Sequence, residues 1–355
     1  LLAQTASLDE MLHLTHTLGY MYQSLGHLEA ATDWHRRNLE LARKNGDPVA
    51  IASGHFEMGE LALVINDYQA AASAAEAGLE VCLASEEVQR TMLRARGHRL
   101  LGAALAMDGS NLPVAEDHLQ QAIAAHRLTD NVSDLCATLF ELGNVAAQRG
   151  QLHRALEYYD EAALRASSAH VYYFQALAYN NYAYHSLLLG RIEPAQQAIK
   201  QARKLAETCE LPGALLHIFS TQGEIHLYLG EWAAATELFQ HGLALAEELG
   251  NLERQAGYRA GLALAARGQN DFERAIALLE EALMLLVDHG YWHLRTRIQL
   301  WLAETLLLCG RIPEAKPHLE EALSISREHG RLLLQLQSEY LQARMLATRG
   351  DLSGA

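Results

Sequence analysis

The sequence predicts an all-α array of helical hairpins. Three observations carry that reading: a turn signature that returns at a fixed spacing, small residues at fixed distances from it, and a composition rich in helix formers. Half of the 355 residues are apolar, a fifth are charged and only six are proline. Abundant Ala, Leu and Glu with few β-branched runs favour helices over strands. Internal repeats then decide the architecture.

The turns follow one another in order. Gly26-His27-Leu28 precedes Ala31, Asn66-Asp67-Tyr68 precedes Ala71, and Gly150-Gln151-Leu152 precedes Ala155. Gly190-Arg191-Ile192 with Ala195, Gly230-Glu231-Trp232 with Ala235, and Asn270-Asp271-Phe272 with Ala275 continue the series, as do Gly310-Arg311-Ile312 with Ala315 and Gly350-Asp351-Leu352 with Ala355. The period is 40 residues from Gly150 onward. One copy departs: Ser110–Ala115 lies 44 residues after Asn66, and "MDGSNLPVA" carries an extra turn residue.

Seven positions before each turn stands a small residue: Gly19, Gly59, Gly143, Ala183, Gly223, Ala263, Ala303 and Ala343. Glycine inside a helix costs about 1 kcal/mol relative to alanine, so its recurrence implies a close approach of two backbones. Gly or Asn at the turn suits the left-handed conformation that ends a helix. The apolar residue and alanine after the turn begin the second helix and pack it on the first. Bulky Tyr159, Phe239, Leu279 and Leu319 follow, then small Ala162, Gly242, Ala282 and Ala322. Gly46, Gly250, Gly290 and Gly330 stop the second helix at equivalent places. The first copy puts His35 and Asn38 where bulky and small core residues are expected, which predicts looser packing there.

This pattern of small residue, turn glycine, apolar residue, alanine, bulky and small resembles the tetratricopeptide repeat (TPR) over essentially the whole chain. The period exceeds the usual 34, so each helix gains roughly a turn. Long repeats of this kind look like the MalT-like sensor domains of bacterial STAND-class signalling ATPases; "LAEELGN" (Leu245–Asn251) and "LQARMLATRGDLSGA" (Leu341–Ala355) are closest to that group. They also resemble scaffolds of the LGN and kinesin light chain type. The resemblance implies a right-handed superhelix, an α-solenoid of eight hairpins plus a terminal helix, forming one domain over residues 1–355. The chain opens at Leu1 and stops five residues past a ninth turn, so a segment of a longer protein is expected. MalT-like parents imply an ATPase upstream and a DNA-binding helix-turn-helix downstream.

Charge and motifs narrow the function. A formal net charge of -15 disfavours direct nucleic-acid binding, because no basic surplus exists to neutralise phosphates. No apolar run approaches the roughly 18–20 residues of a membrane span, and no signal segment opens the chain. Cys82, Cys136, Cys209 and Cys309 lie far apart with no CxxC pair, compatible with a reducing cytoplasm. Cys136 and Cys309 read as small core residues. Asn131-Val132-Ser133 matches the glycosylation triplet, a pattern too short to carry weight.

Gly97-His98-Arg99-Leu100-Leu101-Gly102 has phosphate-loop spacing, but Ala103-Ala104 replaces the required Lys and Ser/Thr, so packing explains its glycines. His289 with His293 and His13 with His16 lack a third ligand and an orienting shell. Neither a catalytic constellation nor a cofactor or metal site is evident, and no enzyme activity is expected.

The groove is the better candidate. In this fold the first helices line the concave side. Inward positions are then His13, His16, Tyr20, Phe56, Glu57, Glu60, Arg96 and Arg99 in the first three hairpins. Phe140, Glu141, Asn144, Asn180, Asn181 and Tyr184 follow, then His217, Ser220, Thr221 and Glu224. The last repeats supply Arg267, Arg297, Trp301, Glu304, Tyr340 and Arg344. Seven of the fourteen tyrosines fall between Tyr158 and Tyr184. Asparagine amides compete with the helix backbone, so Asn180-Asn181 is an unusual pair for a helix interior. The expected ligand-binding residues are Phe140, Glu141, Asn144, Asn180, Asn181, Tyr184, His217 and Glu224. Gly257 and Gly261 weaken the seventh first helix; a ligand's close approach, a bending point and plain relaxation of the repeat remain open. The expected function is a cytoplasmic sensor that binds an effector peptide, protein or small molecule in the groove and changes its contacts with the rest of its parent. A scaffold holding a partner segment is the alternative.

Overall fold

The computed structural model describes residues 7–24, 27–82, 88–109, 111–129, 131–287, 291–328 and 332–349. Among them are seventeen α-helices and no strand. They pair as α1 (Leu8–Ser24) with α2 (Leu28–Asn45), α3 (Pro48–Val64) with α4 (Tyr68–Cys82), α5 (Val88–Asp108) with α6 (Leu112–Leu128), and α7 (Val132–Gln148) with α8 (Leu152–Ser168). The next pairs are α9 (Tyr172–Leu188) with α10 (Ile192–Thr208), α11 (Pro212–Tyr228) with α12 (Trp232–Glu248), α13 (Leu252–Gly268) with α14 (Phe272–Met284), and α15 (Trp292–Leu308) with α16 (Ile312–Glu328). A last helix, α17 (Leu332–Arg349), packs on α15 and α16. The helices form two compact units, Leu1–Ala169 and His170–Ala355.

The turns fold as their residues dictate. Asn66, Gly150, Gly190, Gly230, Asn270 and Gly310 all take left-handed backbone angles, with φ between 60° and 75°. The amide after each such glycine reaches back five residues, as in Gln151 N–H to Ala146 O at 2.9 Å, which satisfies a carbonyl the helix end would orphan. In the third hairpin Gly109 holds this conformation; Ser110, like Gly26, Gly290, Gly330, Gly350 and its followers to Ala355, lies outside the described residues. Gly46 and Gly250 end second helices as expected, whereas His170 and Glu210 adopt positive φ at the matching places without glycine's freedom. Asn131 caps α7 by accepting from the Asp134 amide.

Small residues admit large ones. A Cβ on Gly143 would stand 2.5 Å from the Tyr159 ring. Gly223 is closed by Phe239 in the same way, and Gly242 by Tyr258, whose hydroxyl donates to the Leu216 carbonyl. In the first hairpin His35 takes the ring's place against Gly19, where an added Cβ would stand 2.6 Å from the imidazole. The packing there is closed rather than loose: His35 is fully buried, and Asn38 donates to Leu12 O at 2.7 Å and Thr15 Oγ1 at 2.9 Å. Gly97 and Gly102 face Phe56 and Leu119, so the phosphate-loop-like spacing is a packing feature.

Within each unit, first helices touch first helices. α3 meets α5 and α5 meets α7; α11 meets α9 and α13, and α15 meets α13 and α17. Successive second helices make no comparable contact among the described residues. In each unit the first helices therefore take the inner side of the curve.

Candidate functional site

In the first unit the inner wall is a polar network on α1, α3, α5 and α7. Glu57, only 3% exposed, is held by His16 at 2.7 Å and by buried His35 at 3.2 Å. Arg96 clamps Glu60 through two bonds of 2.8 and 2.7 Å, and the Tyr20 hydroxyl donates to the same carboxylate. Burial pushes Glu60 up, but Arg96 together with Arg99 and the Tyr20 hydroxyl outweighs it and holds the carboxyl below its usual range. Burial and Glu60 push the Tyr20 hydroxyl up to about 12. Arg99 bridges onward to Glu141 at 3.1 Å. Burial raises the Glu141 carboxyl in spite of Arg99, and its second oxygen, Oε2, has no hydrogen-bond partner.

Phe140 and Asn144 turn toward Tyr159: the rings of Phe140 and Tyr159 lie 5.9 Å apart, and Asn144 accepts the Tyr159 hydroxyl at 2.7 Å. Phe56 corrects the inward list. It is fully buried against Gly78 and Gly97, because the second helix of that hairpin carries Ala75 where others carry a ring. The vacated volume draws Phe56 into the core.

In the second unit α9 contributes Asn180, Asn181 and Tyr184. Asn180 is 4% exposed, donates to Asn181 Oδ1 at 3.1 Å, and keeps a buried carboxamide oxygen with no hydrogen-bond partner. Tyr184 is hydrogen-bonded to Arg297 and stands in the field of Glu224; burial, chiefly, raises its hydroxyl. Glu224 is likewise raised by burial, against the opposing pull of Arg297, Arg254 and a hydrogen bond from Ser220. His217 meets the Arg254 guanidinium at 2.9 Å. Since arginine can only donate, Nδ1 of His217 must accept, so the ring is neutral; burial and that charge push it down to about 3.

Two of these groups, Ser220 and Glu224, reach a cavity of about 720 Å³ contained in the second unit. Ser220, Glu224, Gly257, Arg267 and Trp301 line it from the first helices, and Trp232 from a second helix. Arg297 lies over the Trp301 ring at 4.7 Å, and Arg267 pairs with Glu304 at 2.8 Å. Of the expected residues, Tyr184, His217 and Glu224 thus meet in one cluster with Arg254 and Arg297, and Glu224 reaches the cavity. Phe140, Glu141 and Asn144 belong to the other unit. Arg254 and Trp232 escaped the inward rule, which reads fixed offsets on first helices. Trp232 nevertheless has a sequence signal: Gly268 stands where a Cβ would lie 2.6 Å from its ring. Among the described residues no three His, Cys, Asp or Glu side chains are grouped to hold a metal, and His289 lies outside them. No described helix is long and apolar enough to cross a membrane.

A tetratricopeptide-repeat family profile matches residues 12–45. No curated protein matches the sequence. Among solved structures, the apo quorum sensor NprR of B. thuringiensis superposes with a TM-score of 0.67 at 14% identity, over 91% of this chain and 90% of that one. A Rap conjugation gene regulator in complex with a Phr peptide gives 0.66 at 14% identity, over 92% and 96%. The tetratricopeptide-sensor STAND signal-transduction ATPase of Pyrococcus horikoshii gives 0.60 at 13% identity, over 96% of this chain and 50% of that one. Hairpin rhythm, left-handed turns, glycine-into-ring packing and the matched repeat together make this chain, in fold, a tetratricopeptide-type helical repeat protein.

Proposed function

We propose that this chain is the recognition region of a signalling protein, taking an effector peptide on the inner wall of its first helices. The observation that carries the reading is the 720 Å³ cavity where Ser220, Glu224 and Arg267 converge on an aromatic floor. A concave, mostly apolar site with a few placed polar groups is the usual form of a ligand pocket. The Rap regulator holding a Phr peptide supports a peptide as effector, and the quorum sensor NprR supports a signalling role. The archaeal STAND ATPase, about half of which this chain spans, supports a longer parent of that class. Asn181, Tyr184, His217 and Glu224 form the recognition surface of the second unit, with buried Asn180 donating to Asn181 behind them.

The test is selection of binders from a random peptide library displayed on phage, followed by hydrogen exchange of the whole chain with each selected peptide. Protection concentrated in α11, α13 and α15 is expected. Protection spread along most first helices of both units would favour a scaffold that holds an extended partner. No protection by any selected peptide would sink the reading.

A further inference from the structure

Among the described residues, glycines in helix interiors mostly have a packing reason; Gly213, in the first turn of α11, has only ordinary contacts with Tyr173, and Gly257 has none. At Gly19, Gly59, Gly97, Gly102, Gly143 and Gly268 an added Cβ would stand 2.5–2.7 Å from a neighbouring side chain. At Gly257, in the body of α13, it would meet nothing within 4 Å. Glycine weakens a helix, and here no neighbour repays that weakness. Gly257 lines the second unit's cavity, so the bare stretch of α13 backbone faces the space a ligand would occupy.

Charge identifies what fits beside it. The wall carries Arg254, Arg267, Arg297 and Arg344 against Glu224 and Glu304. Glu304 is shared by Arg267 at 2.8 Å and Arg344 at 3.3 Å. Glu224 stands in the fields of both Arg297 and Arg254. Each carboxylate is thus outnumbered two to one, in a protein whose net charge is -15. The inner wall of the first unit has the opposite balance, with Glu57, Glu60 and Glu141 facing Arg96 and Arg99. A cleft with low-dielectric walls focuses such a field. The surplus therefore favours an anionic group at the second unit's wall. Beneath it, Trp232, Leu264, Phe272 and Trp301 offer an apolar floor.

We propose that the second unit's cavity binds a peptide strand whose main chain passes over Gly257. A bulky apolar side chain of that strand enters between Trp232 and Trp301, and a neighbouring carboxylate is drawn to Arg267 and Arg297. This ligand class rests on the groove reading above and deepens it. The arginines act as selectors: Arg297 is already oriented by Trp301 and Tyr184, and Arg267 by Glu304, so little ordering is left for the ligand to induce.

Four capped heptapeptides test it by calorimetric titration into the whole chain. Three share a central phenylalanine flanked by glutamates, lysines or alanines; the fourth keeps the glutamates and replaces the phenylalanine by alanine. The glutamate peptide is expected to bind at least tenfold more tightly than the lysine peptide, and the advantage should shrink in high salt. Removing the phenylalanine should abolish binding. Gly257→Leu should abolish it too while circular dichroism shows full helix content, and Arg267→Gln should narrow the gap between the glutamate and alanine peptides. Equal or tighter binding of the lysine peptide would overturn carboxylate selection and leave the groove reading intact. Unchanged binding to Gly257→Leu would overturn the cavity as the place. Failure of all four peptides at millimolar concentration would overturn the ligand class, whereas the broader reading falls only if library-selected peptides protect nothing.

Discussion

The Tyr159 ring fills the space that Gly143 leaves: a methyl group on Gly143 would stand 2.5 Å from Cε1 of the ring, while the Tyr159 hydroxyl donates to Asn144 at 2.7 Å. The side chain is therefore fixed at both its edge and its tip. Gly143→Ala should destabilise the fold by about 1–3 kcal/mol, because overpacking outweighs alanine's helix preference. Gly257→Ala should have the opposite sign, stabilising by roughly 1 kcal/mol, since its new methyl meets open space. Urea unfolding of the two variants reads both effects, and equal signs would show that packing does not govern these glycines.

Glu57, itself buried, joins buried His35 to the half-exposed His16 of another helix. Glu57→Ala would leave the buried His35 ring without its carboxylate, at a cost of about 1–3 kcal/mol for an unsatisfied buried polar group. Glu57→Gln, which can still accept one hydrogen bond, should cost less. If both variants unfold at the wild-type urea midpoint, the pair is an ornament of the surface.

Acid should weaken the fold from an unusually high pH for a protein with so many carboxylates. His98 is pushed down to about 4 by burial, by His118 and by Arg94, against Asp117. His217 is pushed down to about 3 by burial and Arg254. A histidine with a depressed folded value stays neutral in the native state while the unfolded chain takes up its proton near pH 6.5. Its stabilising contribution is thus complete above about pH 6.5 and is lost as the pH falls toward those lower values. Unfolding midpoints measured from pH 7 to pH 4 should decline, and His217→Gln should flatten the decline. An identical slope in that variant would count against the mechanism.

Binding should separate the two units. Asn180→Ala with Tyr184→Ala is expected to weaken a selected peptide at least tenfold with modest change in stability, because Tyr184 joins Glu224 and Arg297 beside the cavity. Phe140→Ala with Asn144→Ala should act mainly on stability, since both support Tyr159. Matching losses of affinity would remove the distinction.

Much of this was readable from residue types. Turn glycines and asparagines announce themselves through left-handed φ, and Gly143 or Gly223 through the ring that follows at a fixed distance. Direction along a helix was harder. Phe56 occupies an inward offset yet is buried, because the volume beside it depends on Ala75 in another helix. Arg254 lies nearly a helix length before its own turn and reaches His217 through a long side chain, which no rule of offsets captures. Asn180 shows the limit of polarity as a guide, being almost wholly covered. Local rhythm fixes which helix lies inside; side-chain length and neighbouring gaps decide which side chains stand on the inner wall.

The exchange of partners between Phe56 and Tyr159 has a consequence for engineering. One hairpin supplies its ring from the leading helix and its gap, Gly78, from the trailing one; another supplies the gap at Gly143 and the ring at Tyr159. Phe56 and Phe140 hold the same offset before Gly59 and Gly143, so the trailing helix decides where the leading ring goes: Gly78 opens a slot for Phe56, whereas Tyr159 fills the space beside Gly143 and leaves Phe140 against its own ring. A trailing helix with Tyr159 and Ala162 in place of Ala75 and Gly78 would close the slot that Phe56 occupies. Modules of this chain can therefore be shuffled only as intact hairpins together with the neighbour that closes them.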